Sequence, residues 1–378
     1  MNLNPIINNF QRPIRKVQIC CILIFSCAAC SLNIPYENQY SDPDAITTVT
    51  AARELLASAY DAIPKPEFSL SVLSDDFQPT FLINLNADLN NLYKWHPKPM
   101  EDLSNSLWEK YYSAIAIANT VLERIHYVSP ISDSDKQELQ CIVSEAKTLK
   151  AYCYFNLLRL FAPTYPEGPE KDGIILKERF ELAFLKRSSI SECVNAIRQL
   201  LTEAVTVDNR PSQVYWFSRQ SAYYLLAALE LYAENYDKAE EYALKILSST
   251  NAYDVLAPVH YKKLWEQEPC EECIFSLHTT NSYYTDMNYE RKKGDYFTIN
   301  STLTQLYTAN DIRYEATVYP QEMPGESIGE TLPVLYLGKY NKQNWNYKPI
   351  QYINKLRVSG ICFILAEAYC QDQKGHDA

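Results

Sequence analysis

Residues 134–161 carry the pattern that most restricts the fold. Ile142, Ala146, Leu149, Cys153, Leu157 and Leu160 recur at three- and four-residue spacing, the period of an α-helix with one apolar face. Glu145, Lys147, Lys150 and Arg159 lie off that line, and Pro163 and Pro166 stop the helix. The same period predicts other helices. One covers about 47–63, with Thr47 or Thr48 as cap and Ala52, Leu55, Leu56, Ala59 and Ile63 as its stripe. Another covers about 105–127, through Trp108, Tyr112, Ile115, Asn119 and Leu122. A third covers about 190–206, capped by Ser188 or Ser189 with Glu192 in its first turn. Residues 217–249 read as a helix pair, and 355–371 as a last helix with Leu356, Gly360, Phe363, Ile364 and Ala368 on one side.

Between these helices the pattern weakens. Residues 64–104 hold five prolines and many Asn and Asp, which predicts a long loop carrying Phe77, Phe81, Tyr93 and Trp95. From 251 to 350 tyrosines crowd an irregular stretch, with short strands expected at Ile274–Leu277 and Leu335–Leu337. Only 8 glycines in 378 residues argue against a β-rich body. In the helix pair, Tyr223, Leu226, Ala227, Tyr236 and Ala239 fall where a tetratricopeptide repeat places its packing residues. Glu230 and Ala243 depart from that pattern, and an ordinary antiparallel helix hairpin has similar architecture. Read from the residues, the expected fold is mainly α, helical over 46–250 and loop-rich, partly β over 251–378.

The amino terminus reads as an export signal. Arg12, Arg15 and Lys16 precede an apolar run from Val17 to Phe25, and Ser26-Cys27-Ala28-Ala29-Cys30 follows. The run is too short to span a bilayer as a helix. Basic stretch, apolar core, small residues and cysteine form the layout of a bacterial lipoprotein signal over 1–29. Cys30 is the expected lipidation site, with Cys27 as a second possible cleavage point. Residues 30–45 then form a tether. Without the signal the chain carries 32 basic against 46 acidic residues. That balance argues against nucleic-acid binding, which needs basic surface.

Little in the chain points to catalysis. Asp75-Asp76 and Glu271-Glu272 are adjacent acidic pairs, but glycoside hydrolysis needs two carboxyl groups facing each other across a bond. Cys270-Glu-Glu-Cys273 has metal or redox spacing without a second such pair, and a turn before a strand accounts for it. Seven cysteines follow the signal region; Cys141, Cys153, Cys193 and Cys362 sit in helical patterns, so no disulfide framework is expected. No cofactor or metal is expected either. The aromatics suggest binding. A sugar ring has an apolar C–H face that a flat side chain covers, while amides and carboxylates take the hydroxyls. Loop aromatics are free to stack in this way. They are Tyr93, Trp95, Tyr283, Tyr284 and Tyr296, with Asp76 to bind hydroxyls. Trp108, Tyr112, Tyr152 and Tyr223 keep helical spacing and are expected in packing.

Several segments in order resemble the SusD/RagB family. They are Cys30-Ser-Leu-Asn-Ile-Pro with Gln39 and Tyr40, then Trp108, Tyr112, Ile115 and Asn119, then the helix Glu145 to Phe161 with Pro163 and Pro166. Arg187-Ser-Ser-Ile190, the pair 217–249, Gly338-Lys-Tyr340, Leu356-Arg357 and Ala366-Glu367-Ala368-Tyr369 follow. Ala162 stands where the family usually has Gly, and Ser359-Gly360 where Ala-Glu is common. Family members run on well past the last of these helices, so the chain reads as a C-terminally truncated member.

The resemblance implies a tetratricopeptide-like, right-handed stack of helix pairs with a loop-rich second region, in a non-catalytic outer-membrane lipoprotein facing the cell exterior. It implies capture of glycan or other nutrient oligomers and their delivery to a SusC-like TonB-dependent transporter. The competing expectation is a helical-repeat lipoprotein adaptor that binds a protein partner and no small ligand. In that case the same aromatics would be buried.

Overall fold

The computed structural model describes residues 46–179, 184–266, 268, 270–278, 296–325, 327, 329–337 and 352–371. Its framework is a series of helices packed neighbour on neighbour. Helix α1 (Val49–Ala62) lies on α4 (Pro97–Arg124), α4 on α5 (Asp133–Phe161), and α5 on α6 (Ile190–Ala204). Helix α6 then contacts α7 (Arg219–Tyr232), which pairs with α8 (Tyr236–Leu247). Between α1 and α4 run two short helices, α2 (Glu67–Leu73) and α3 (Ala87–Tyr93). Beyond α8 come short α9 (Ala252–Val255) and α10 (Pro258–Trp265). The C-terminal helices are α11 (Ser301–Gln305), α12 (Ile312–Thr317) and α13 (Val358–Gln371), and α13 packs on α8.

Local chemistry sets the helix starts. Thr48 caps α1 by accepting the Ala51 N–H. Ser132 and Asp135 form a reciprocal capping box on α5, and Ser189 with Glu192 forms another on α6. The α5 stripe is buried at Ile142, Ala146, Leu149, Cys153 and Leu157. Leu160, expected on the same face, is 40% exposed. Glu145 and Lys150, off the stripe, are buried, because α5 is covered on more than one side.

Arg53 accounts for Glu145. Its guanidinium lies 2.8 Å from the Glu145 carboxylate and 2.5 Å from that of Glu138. The Tyr60 hydroxyl and Asn209 amide also donate to Glu145, each at 3.2 Å. In the α7–α8 pair, Glu230 is buried and held by two bonds from Arg198 at 2.5 and 2.9 Å. An ion pair therefore fills the place where the repeat pattern expects an aromatic ring.

Three two-stranded antiparallel sheets complete the structure. Strand β1 (Phe77–Pro79) pairs with β3 (Phe297–Ile299), β2 (Cys273–His278) with β6 (Tyr352–Arg357), and β4 (Val318–Pro324) with β5 (Thr331–Leu337). One apolar core runs from Ile46 to Ala368 and includes α1, α4 to α8, β2, β6 and α13. A second, smaller core gathers Val72, Phe77, Ile83, Leu92 and Phe297.

Residues 64–104 are therefore not a long loop. The prolines at 64 and 66 separate α1 from α2, and each short helix has only 7 residues, too few to show a period. Pro97 opens α4, where its missing N–H costs nothing, so α4 begins earlier than the expected 105. The last helix likewise begins later than 355. Strand β6 occupies its expected start, because residues 352–357 pair with β2. At Gly360 an added Cβ would collide with the Tyr224 hydroxyl, so the absence of a side chain there lets α13 approach α7 closely.

Candidate functional site

The second core supports Tyr93 and Tyr296, two of the aromatic residues singled out in the sequence. Phe77 and Phe297 stack at 5.5 Å, and Phe68 and Tyr93 close on Phe297 at 6.2 and 5.9 Å. The β1–β3 ladder aligns Phe77 with Ile299 and Pro79 with Phe297. One residue beyond its ends, Asn300 N–H donates to the Asp76 carbonyl and Thr80 N–H donates to the Tyr296 carbonyl. Asp76 and Tyr296 thus stand at opposite ends of one short ladder, about 13 Å apart along the strand. Asp76 is exposed, and Tyr296 is half-buried against the aromatic cluster.

Tyr93 is not on a loop. It is the last residue of α3, and its half-buried ring packs against the cluster. Helix periodicity over seven residues could not have shown this. Cys30, Tyr283 and Tyr284 lie outside the described residues.

Trp95 is different. Lys94 ends α3, the Trp95 N–H donates to Leu92 O at 2.9 Å, and the His96 N–H donates to Asn91 O at 2.9 Å. Those two bonds define a Schellman ending, whose left-handed position normally belongs to glycine. Trp95 occupies that position with φ 57°. A bulky residue there is strained by about 1–2 kcal/mol. The indole is nevertheless 63% exposed, so burial repays little of that strain. His96 is extended, as the residue before Pro97 must be, and α4 starts at once. The backbone at Trp95 is thereby held between two helices, with the ring presented to solvent.

A cleft of about 720 Å³ opens on the other side of α2. Rings of Tyr111, Tyr152, Phe155 and Tyr224 line it, with Arg159 and Glu367 among its polar groups. Lys355 pairs with Glu67 in its wall. Burial and, after it, the nearby Lys65 pull the Lys355 ammonium down to about 7. Sequence spacing assigned Tyr152 to packing and did not connect Glu67 with Lys355, which meet only through the fold. Helix α2 separates the two regions: Glu67 and Leu70 face the cleft, while Phe68 and Val72 join the second core.

The acidic pairs do not form facing carboxylates. Asp75 and Asp76 lie side by side in an exposed turn. Glu272 is buried and accepts from Ser359, while Glu271 is exposed. No cluster of three or more His, Cys, Asp or Glu side chains is placed to hold a metal ion among the described residues.

The described residues form a mainly helical body that presents an exposed indole at Trp95 and an aromatic-lined cleft. The SusD-like family model, described as starch-binding and associating with the outer membrane, matches residues 35–231. The chain belongs to that family. It is 25% identical over 232 residues to the SusD-like protein P38 of Formosa agariphila, a match spanning 59% of this chain and 42% of that relative. The chain thus spans less than half the length of this curated relative.

Solved structures share the fold. A SusD superfamily protein of Bacteroides vulgatus superposes with TM-score 0.69 at 20% identity, covering 87% of this chain and 78% of the other. A SusD-like carbohydrate binding protein of the same species gives 0.71 at 16% identity, covering 88% and 73%. No helix among the described residues is long and apolar enough to cross a membrane.

Proposed function

We propose that this protein is a non-catalytic, lipid-anchored receptor of the outer surface. In this reading it captures glycan oligomers and passes them to a SusC-like TonB-dependent transporter. The observation that carries it is Trp95, held at a glycine position at the cost of strain and left exposed. Selection for stability alone would not keep an indole there. Asp76 and Tyr296 flank the same aromatic cluster and would bind hydroxyls and a sugar face. Tyr93 supports the platform from below. Tyr283 and Tyr284 are proposed as further sugar-stacking residues. The family description, starch-binding and associating with the outer membrane, supports the ligand class and the location. Acylation of Cys30 would supply the anchor, with Cys27 as the alternative acceptor.

The test is retention on a panel of immobilised neutral and acidic glycans, with Trp95→Ala as control. The proposal expects retention by at least one glycan and its loss in the variant. A folded protein that no glycan retains would overturn it in favour of the protein-binding adaptor.

A further inference from the structure

The turn that opens strand β2 carries two thiols that the binding role does not use. Cys270 and Cys273 enclose Glu271 and Glu272, and the Cys273 N–H donates to the Cys270 carbonyl at 3.3 Å. A four-residue turn closed in this way keeps its end Cα atoms within about 7 Å. A disulfide bridges Cα atoms about 4.4–6.8 Å apart. Both thiols are free in the structure and neither is fully exposed. The Cys273 sulfur lies 2.9 Å from Ser276 Oγ, and that hydroxyl separately donates to Asn354 at 2.7 Å. Moving the Cys273 sulfur to Cys270 leaves Ser276 with a partner.

The turn holds a junction. The Glu272 carbonyl accepts the Val358 N–H at 2.9 Å, and its carboxylate accepts the Ser359 hydroxyl at 2.7 Å. Residues 270–273 thus anchor both the β2–β6 ladder and the start of α13.

We infer that Cys270 and Cys273 close an intra-turn disulfide in the exported protein, fixing the turn on which β2, β6 and α13 converge. This rests on the export reading above, because disulfides persist in oxidising compartments. The oxidant is the disulfide of an exported thiol–disulfide oxidoreductase. The Cys270 thiolate attacks one of its sulfurs and forms a mixed disulfide. The Cys273 thiolate then displaces that sulfur and closes the ring. Two electrons and the two thiol protons pass to the oxidoreductase, which leaves as a dithiol.

The experiment equilibrates the purified full chain in glutathione buffers ranging from fully reduced to mostly oxidised. After acid quenching, free thiols are labelled with N-ethylmaleimide in denaturant, and the tryptic peptide 264–291 is weighed. Under oxidising buffer the peptide is expected unlabelled and two hydrogens lighter. Under reducing buffer it should carry two labels. The variant Cys273→Ser should trap glutathione on Cys270 instead. Two labels on the native chain under oxidising buffer, or a lasting glutathione adduct on either cysteine, would overturn the inference. Cell fractionation reports export separately, so failure of the export reading and failure of ring closure are told apart.

Discussion

Trp95 stands where glycine is the usual residue, and its backbone is strained for that reason. Replacing it with glycine removes the strain and costs little burial, since the ring is already exposed. Trp95→Gly should raise stability by about 1 kcal/mol in chemical denaturation while abolishing glycan retention. Trp95→Ala should lose retention with no gain in stability. An unchanged or lower stability for the glycine variant would remove the argument from strain.

Glu145 tests the buried network. Burial pushes its carboxyl up to about 6, against the opposing pull of Arg53, Asn209 and Tyr60. A native pKa above the unfolded value means that the folded chain holds the proton more tightly. This contribution to stability is full below the ordinary value of 4.5 and is lost as pH rises through about 6. The stability of native protein minus that of Glu145→Gln should therefore fall by about 2 kcal/mol between roughly pH 4 and pH 7. Denaturant titrations across that range check the sign. Arg53→Ala leaves Glu145 buried without its cation and should cost about 3 kcal/mol in the same assay at neutral pH.

Helix α3, whose end carries Trp95, and the β1–β3 ladder are the elements that make the candidate site. Phe297→Ala opens a hole beneath Tyr93 and should cost about 3 kcal/mol. It should also weaken glycan retention although Trp95 is intact, because the platform loses its support. Equal retention by the two proteins would show that the aromatic cluster does not position the site.

The long helices were legible in the sequence because their stripes are many turns long and their caps use Ser, Thr, Asp and Glu at fixed offsets. The short elements were not. Helices α2 and α3 are shorter than the window in which a period can be seen, and β1 and β3 meet across more than two hundred residues. Trp95 was legible as a loop aromatic, but its left-handed backbone was not, since nothing but glycine signals that conformation in a sequence. Glu145 and Lys150 lie off the apolar stripe and Glu230 departs from the repeat pattern; the cations that pair with Glu145 and Glu230 lie on other helices, which sequence spacing does not connect. Lys150, pushed down to about 8 mainly by burial, lies near Glu178 and Glu123 and over the Tyr154 ring.

At the scale of the whole molecule, the proposed role needs an anchor, a stack and an exposed platform on one chain. Cys30→Ala should move the protein from the membrane fraction to the soluble fraction of the cell envelope, with Cys27→Ala as the matched variant. Release by the second substitution and not the first would transfer the acyl chain to Cys27. Helix α13 packs on α8 with one face and leaves Phe363 74% exposed on another.

The most direct measurement is calorimetric titration of the best-retained glycan into the native protein and into Trp95→Ala. Affinity should fall roughly tenfold or more in the variant, about 1.4 kcal/mol, with the fold unchanged by circular dichroism. Equal affinities for the two proteins would contradict the proposed role of the exposed indole.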